Sequence, residues 1–93
     1  MAIIWDENKK NLLKAQRGIS LEEVAEIILD KKYLEILENP SNPDQMVFVL
    51  NYHGYIHIVP FIVDEKGNLV LKTVFPSRKF NKKYGKEKND NKA

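Results

Sequence analysis

Between Gln45 and Phe75 the apolar residues recur at every second position, in "QMVFVLNY", "YIHIVPFIV" and "NLVLKTVF". Such a period places alternate side chains on one face only if the chain is extended, so this stretch predicts three strands. The intervening His53-Gly54 and "DEKGN" are turn sequences, which makes the strands consecutive antiparallel hairpins. Pro60 interrupts the pattern, because it has no N–H for a ladder. The middle strand is expected to be bulged there or to face an edge.

The residues before Gln45 follow a different period. "IIW" reads as a short strand or an apolar anchor, and Asp6 can cap a helix beginning at Glu7 by accepting backbone N–H bonds. Leu12, Leu13 and Ala15 give that helix an apolar side, and Gly18 ends it. Ser20 followed by Glu23 forms a capping box, after which Leu21, Val24, Ile27 and Ile28 form a stripe along a second helix through about Lys31. "KKYLEIL" is a short strand or the frayed end of that helix, and "ENPSNPD" is a loop.

Beyond Phe75, Pro76 ends the strand and Ser77 can cap a helix of one to two turns. Phe80 and Tyr84 lie on one side of it, four residues apart, before Gly85. "KEKNDNKA" has no apolar residue but its last alanine and reads as a disordered basic tail. The expected architecture is therefore α+β: an N-terminal segment and two helices, a three- to four-stranded antiparallel sheet and a short C-terminal helix. Residues 1–85 form a single compact domain and residues 86–93 the tail.

A chain of 93 residues buries only about 60% of its unfolded surface on folding. Its core can have no disulfide support, because the sequence contains no cysteine. The start lacks the pattern of a signal peptide, and no apolar run approaches the roughly 20 residues of a membrane span. A cytoplasmic protein with no membrane partner is the expectation. Charge is unevenly distributed: residues 1–71 carry 7 basic and 11 acidic side chains, a net −4, whereas residues 72–93 carry 8 and 2, a net +6. A basic end of this kind attracts nucleic acid or an acidic protein.

The candidate chemistry is narrow. Only two histidines occur, His53 and His57, with no carboxylate close beside either in sequence, so no metal site and no cofactor is expected. His53 reads as a turn residue. His57, among apolar strand neighbours, is either packed and hydrogen-bonded or a proton-transfer group. A phosphate-binding glycine loop and a Ser-His-Asp order are both missing. What remains is basic and aromatic: Lys72, Arg78, Lys79, Lys82, Lys83 and Tyr84, with Lys14 and Arg17 at the end of the first helix.

Alternation places Lys72 on the side of Val70 and Val74, where it either snorkels at an edge or points a cation into a phosphate-binding groove. Arg78 is the favoured candidate. A guanidinium offers a rigid fork of donors suited to phosphate oxygens and remains charged at any working pH. Its alternative is an arginine at a helix start paired with an acidic neighbour. The lysines around it also fit a solvated helix face.

These stretches together resemble a known family. "IIWDENKKN", "RGISLEEV" and the "SR" following a strand are similar to segments of the BrnT-type toxins of bacterial toxin–antitoxin pairs, in which a W-D start, a K-H-G-[IV]-S-F-E-E-A segment and a C-terminal S-A-R recur. Trp5 and Asp6 match the opening pair, Gly18, Ser20, Glu22 and Glu23 the middle segment, and Arg78 the arginine of S-A-R. Arg17 stands where the family has histidine, and the small residue of S-A-R is missing. The resemblance implies a RelE-like fold and a metal-independent ribonuclease that acts on RNA in the translating cell. It also implies a cognate antitoxin as partner, in a homo-oligomer or a toxin–antitoxin hetero-oligomer.

In such a reaction the 2′-hydroxyl of the RNA is the nucleophile, and the protein positions the phosphate, moves two protons and stabilises the phosphorane. The resemblance then casts Arg78 at the phosphorane and His57 or Tyr84 in proton transfer. Lys72, Lys79, Lys83 and Arg17 become the RNA-binding residues. Two other classes fit the same residues: a non-enzymatic module binding nucleic acid or an acidic partner, and an interaction protein obligately bound to its partner.

Overall fold

The computed structural model describes the backbone of residues 2–90 and the side chains of residues 2–84. In order, the elements are β1 (Ile3–Ile4), α1 (Glu7–Arg17), α2 (Leu21–Leu29), β2 (Glu35–Glu38), β3 (Met46–Tyr52), β4 (Tyr55–Val63), β5 (Leu69–Leu71), β6 (Phe75–Pro76) and α3 (Arg78–Asp90). The α+β class is as expected, but the sheet is larger. It has six strands in the order β1-β5-β4-β3-β2, with β6 beside β4, rather than three to four. It is also not wholly antiparallel, since β1 pairs parallel to β5.

The helix boundaries follow from local chemistry. The Asp6 carboxylate accepts the N–H groups of Asn8 and Lys9 at 2.7 and 3.1 Å, and Gly18 closes α1 at φ 66°. Ser20 Oγ accepts the Glu23 N–H at 3.3 Å. The capping box is only half made, however. The Ser20 N–H donates to the hydroxyl of Tyr52 in β3 at 2.9 Å, and the Glu23 carboxylate instead meets Nε2 of His53 at 2.7 Å. Lys10 bridges α1 and α2 through Glu22 at 3.3 Å, and the hydrogen bond and charge of Glu22 raise its pKa.

The hairpin turn at His53-Gly54 has φ 52° and 84°, the two left-handed residues of a type I′ turn, whose twist suits antiparallel strands. From the closing pair Tyr52↔Tyr55 the register runs without a bulge to Met46↔Phe61. Hydrogen-bonded and open pairs alternate in such a ladder, so Pro60, opposite Val47, occupies an open pair and its nitrogen faces away from β3. The neighbour on that side is broken: β5 pairs with Phe61–Val63 and β6 with His57–Ile58. Lys72 N–H donates to Pro60 O at 2.9 Å, but Pro60 has no hydrogen to return, and the ladder ends there. "NLVLKTVF" is accordingly two strands with a gap, and the proline locally faces an edge.

Both faces of the sheet are covered. Phe48, Leu50 and Tyr52 from β3, with Val59 and Phe61 from β4, meet Leu13, Ile19, Leu21, Val24 and Ile28. The opposite face presents Val47, Val49, Ile56 and Ile58 to Phe80 and Tyr84 of α3. Alternation along β3 and β4 thus feeds two layers rather than one. The helix α3 runs past the expected one to two turns to Asp90. The tail expected over 86–93 lies outside the residues whose side chains are described.

Candidate nucleic-acid interface

The first turn of α3 is bound to the sheet at several points. Ser77 Oγ accepts the Phe80 N–H at 3.2 Å, the N-cap bond expected of it. The Ser77 N–H donates to Ile56 O at 3.0 Å, and Asn81 Oδ1 accepts the Ile56 N–H at 3.1 Å. Ile56 stands at an open pair of the β3–β4 ladder, so both of its backbone groups are available to α3. One turn on, Tyr84 donates from its hydroxyl to the Glu35 carboxylate of β2. The helix thus crosses the sheet from β6 to β2.

This attachment leaves the other side of α3 wet. Arg78, Lys79, Lys82 and Lys83 are exposed. Lys79 Nζ lies 5.9 Å from the Phe80 ring centroid and Lys83 Nζ 5.3 Å from that of Tyr84, cation–π contacts that hold the ammonium groups along the helix. Between the first turn of α3 and the end of β2 is a groove of about 460 Å³, with Val47, Ile58 and Pro60 as its floor, Phe75, Ser77, Lys79 and Phe80 on one side, and Leu37, Glu38, Asn39 and Pro40 on the other. Lys79 thus lines a concave surface at the head of a capped helix, and Arg78 stands next to it in the same turn, outside the groove lining.

The remaining expected site residues are dispersed. Lys72 is exposed in the β5–β6 gap and does not share a face with Val74, which is fully buried. The strand ends at Leu71, so alternation no longer fixes its direction. It lines a second groove with Lys9. Arg17 is exposed at the C-terminal end of α1.

His57 is 7% exposed and points to the α1–α2 face. Its ring meets Tyr52 edge-on with centroids 5.2 Å apart, and its Nδ1 donates to Tyr55 O at 2.9 Å. Arg78, Lys79, Lys83 and Tyr84 are therefore gathered on one helix, and His57 faces the opposite side of the sheet.

Two residues in the arrangement were not among the sequence candidates. Glu35 was legible in principle, since alternation in "LEIL" puts Glu35 and Leu37 on one face. Asn81 carried no signal, because its role depends on Ile56 having a free backbone amide.

The elements define a three-layer α+β domain, with two helices on one face of a mixed sheet and a basic helix on the other. That is the fold of a bacterial ribonuclease toxin. The solved structure in question is the 1.1 Å crystal structure of the Brucella abortus ribonuclease toxin, BrnT, which superposes with a TM-score of 0.64 over 83% of this chain and 96% of that one, at 22% sequence identity. The resemblance drawn from the sequence is thus met by a likeness of fold over 83% of the chain. No protein-family model matches the chain, and no curated protein matches it.

Proposed function

We propose that this chain is the toxin of a type II toxin–antitoxin pair, a metal-independent endoribonuclease of RelE-like arrangement that cleaves cellular RNA in the cytoplasm and arrests translation. The observation that supports it best is the exposed Arg78–Lys79 pair at the capped start of α3, beside the groove, in a fold shared with a ribonuclease toxin. Arg78 offers its forked donors to the phosphorane, where fixed positive charge is most effective in the transition state. Lys79 holds the scissile phosphate, Lys72 a neighbouring one, and Lys83 and Arg17 more distant stretches of RNA.

For proton transfer Tyr84 is favoured over His57. It stands on the same helix as Arg78, and its hydroxyl is oriented by the hydrogen bond that it donates to the Glu35 carboxylate. His57 is buried on the other face. A cognate antitoxin blocks the toxin by covering this basic helix.

Arg78→Ala is expected to lower RNA cleavage by on the order of 100-fold, the scale for losing one preorganised charge-stabilising donor, with the circular dichroism spectrum unchanged. A folded variant that cleaves at the wild-type rate would refute the assignment. The product ends decide between this reading and a non-enzymatic binding module: 2′,3′-cyclic phosphates identify the enzyme, whereas salt-sensitive binding to intact RNA identifies the module.

A further inference from the structure

We infer that the groove between the start of α1 and the β5–β6 gap is a second nucleotide subsite, which takes one nucleotide of a single-stranded RNA whose scissile phosphate lies at α3. The inference rests on RNA being the ligand of the α3 groove.

The cavity, of about 540 Å³, is within the size range of small-ligand sites, roughly 300–1,000 Å³. Its chemistry is that of a nucleotide divided into its parts. Leu12, Val70 and Pro60 offer an apolar surface, and Leu12 is 50% exposed. Contact with this aliphatic surface removes the apolar face of a base from water. Asn8 and Gln45 also line the groove; the Gln45 side-chain oxygen accepts a bond from Asn39 Nδ2 at 3.4 Å, which leaves its N–H groups to donate to a base edge.

Lys9 and Lys72 supply the cations. Both are exposed, and among the described residues neither has an ion-pair partner. The one carboxylate of the groove, Asp6, accepts the N–H groups of Asn8 and Lys9 and is thereby engaged with the end of α1. A phosphate held by the two ammonium groups lies near the Asp6 carboxylate, whose charge is offset in part by the N–H groups at the start of α1.

Pro60 lines this groove as well as the one beside α3. A single strand of RNA that passes over Pro60 therefore touches both grooves.

The test uses a short, fluorescently labelled oligoribonucleotide with 2′-O-methyl riboses, which binds but has no free 2′-hydroxyl to attack. Binding is followed by fluorescence anisotropy across a salt series. Lys9→Ala and Lys72→Ala are each expected to weaken binding several-fold and to reduce the slope of log affinity against log salt by about 0.7, the value per phosphate contact on a single strand. Lys32→Ala, an exposed lysine remote from both grooves, serves as the control and leaves both quantities unchanged. In NMR spectra the side-chain amide signals of Asn8 and Gln45 shift on binding.

Unaltered affinity and slope in both variants, or an equal loss in Lys32→Ala, would overturn the subsite. Failure of ordinary RNA to be cleaved overturns the ribonuclease reading instead and leaves this measurement standing, because the probe cannot react.

Discussion

Replacing Tyr52 by phenylalanine removes one oxygen atom from the interior and leaves the ring in place. The ring is 5% exposed, stacks on His53 at 4.2 Å and packs with Leu50 and Val59 in the larger core, so no cavity of consequence forms. What is lost is the acceptor for the Ser20 N–H at the start of α2. A donor left without a partner costs about 1–3 kcal/mol, and Ser20 is only half-buried, which puts the expectation at the lower end, about 1–1.5 kcal/mol. At about 4–8 °C per kcal/mol for a domain of this size, Tm should fall by about 4–12 °C.

Urea unfolding, followed by circular dichroism, should show a lower midpoint and an unchanged slope. Glu23 provides an internal check, because the capping-box sequence allows its carboxylate to swing back from His53 and accept the freed N–H. Tyr52→Phe should therefore cost more in a Glu23→Ala background, with a coupling of about 0.5–1 kcal/mol. Were the substitution free of cost in both backgrounds, the Tyr52 hydroxyl would not be supporting the start of α2.

Two further outcomes are expected. Gly54→Ala should destabilise by about 1–2 kcal/mol in urea unfolding, because a Cβ at φ 84° meets no atom within 4 Å and the cost is backbone strain alone. Asp64 has its pKa lowered chiefly by the backbone N–H of Asn68, so the stability it contributes is present above the ordinary carboxylate value and lost as pH falls through the folded value. Urea midpoints taken from pH 7 downward should decline in that acid range, and Asp64→Asn should flatten this part of the profile.

Much of the frame was legible because local chemistry decides it. Asp6, Gly18, Ser20 and Ser77 mark helix ends through bonds spanning two to six residues, and those bonds form wherever the chain is helical. The His53-Gly54 turn and the register of β3 with β4 follow from a two-residue loop between alternating runs. The size of the sheet was not legible, since β1 finds its partner 66 residues away and β2 is too short for its period to separate it from a helix end. Lys72 was misdirected for a related reason: alternation holds only while the ladder lasts, and Pro60, distant in sequence, ends it.

The candidate site divides along the same line. Arg78 and Lys79 could be singled out in advance because a cap and a strand end fix them locally. Two other features needed the third dimension: His57 lies on the opposite face from Arg78, and Tyr84 reaches Glu35 across three strands. By itself, then, the sequence determined the class of the elements, their caps and the basic character of α3, through periodicity and bonds between near neighbours. Only the tertiary structure decided which charges share a surface, because that depends on which face of the sheet each element covers and on where β4 meets a break in its neighbour.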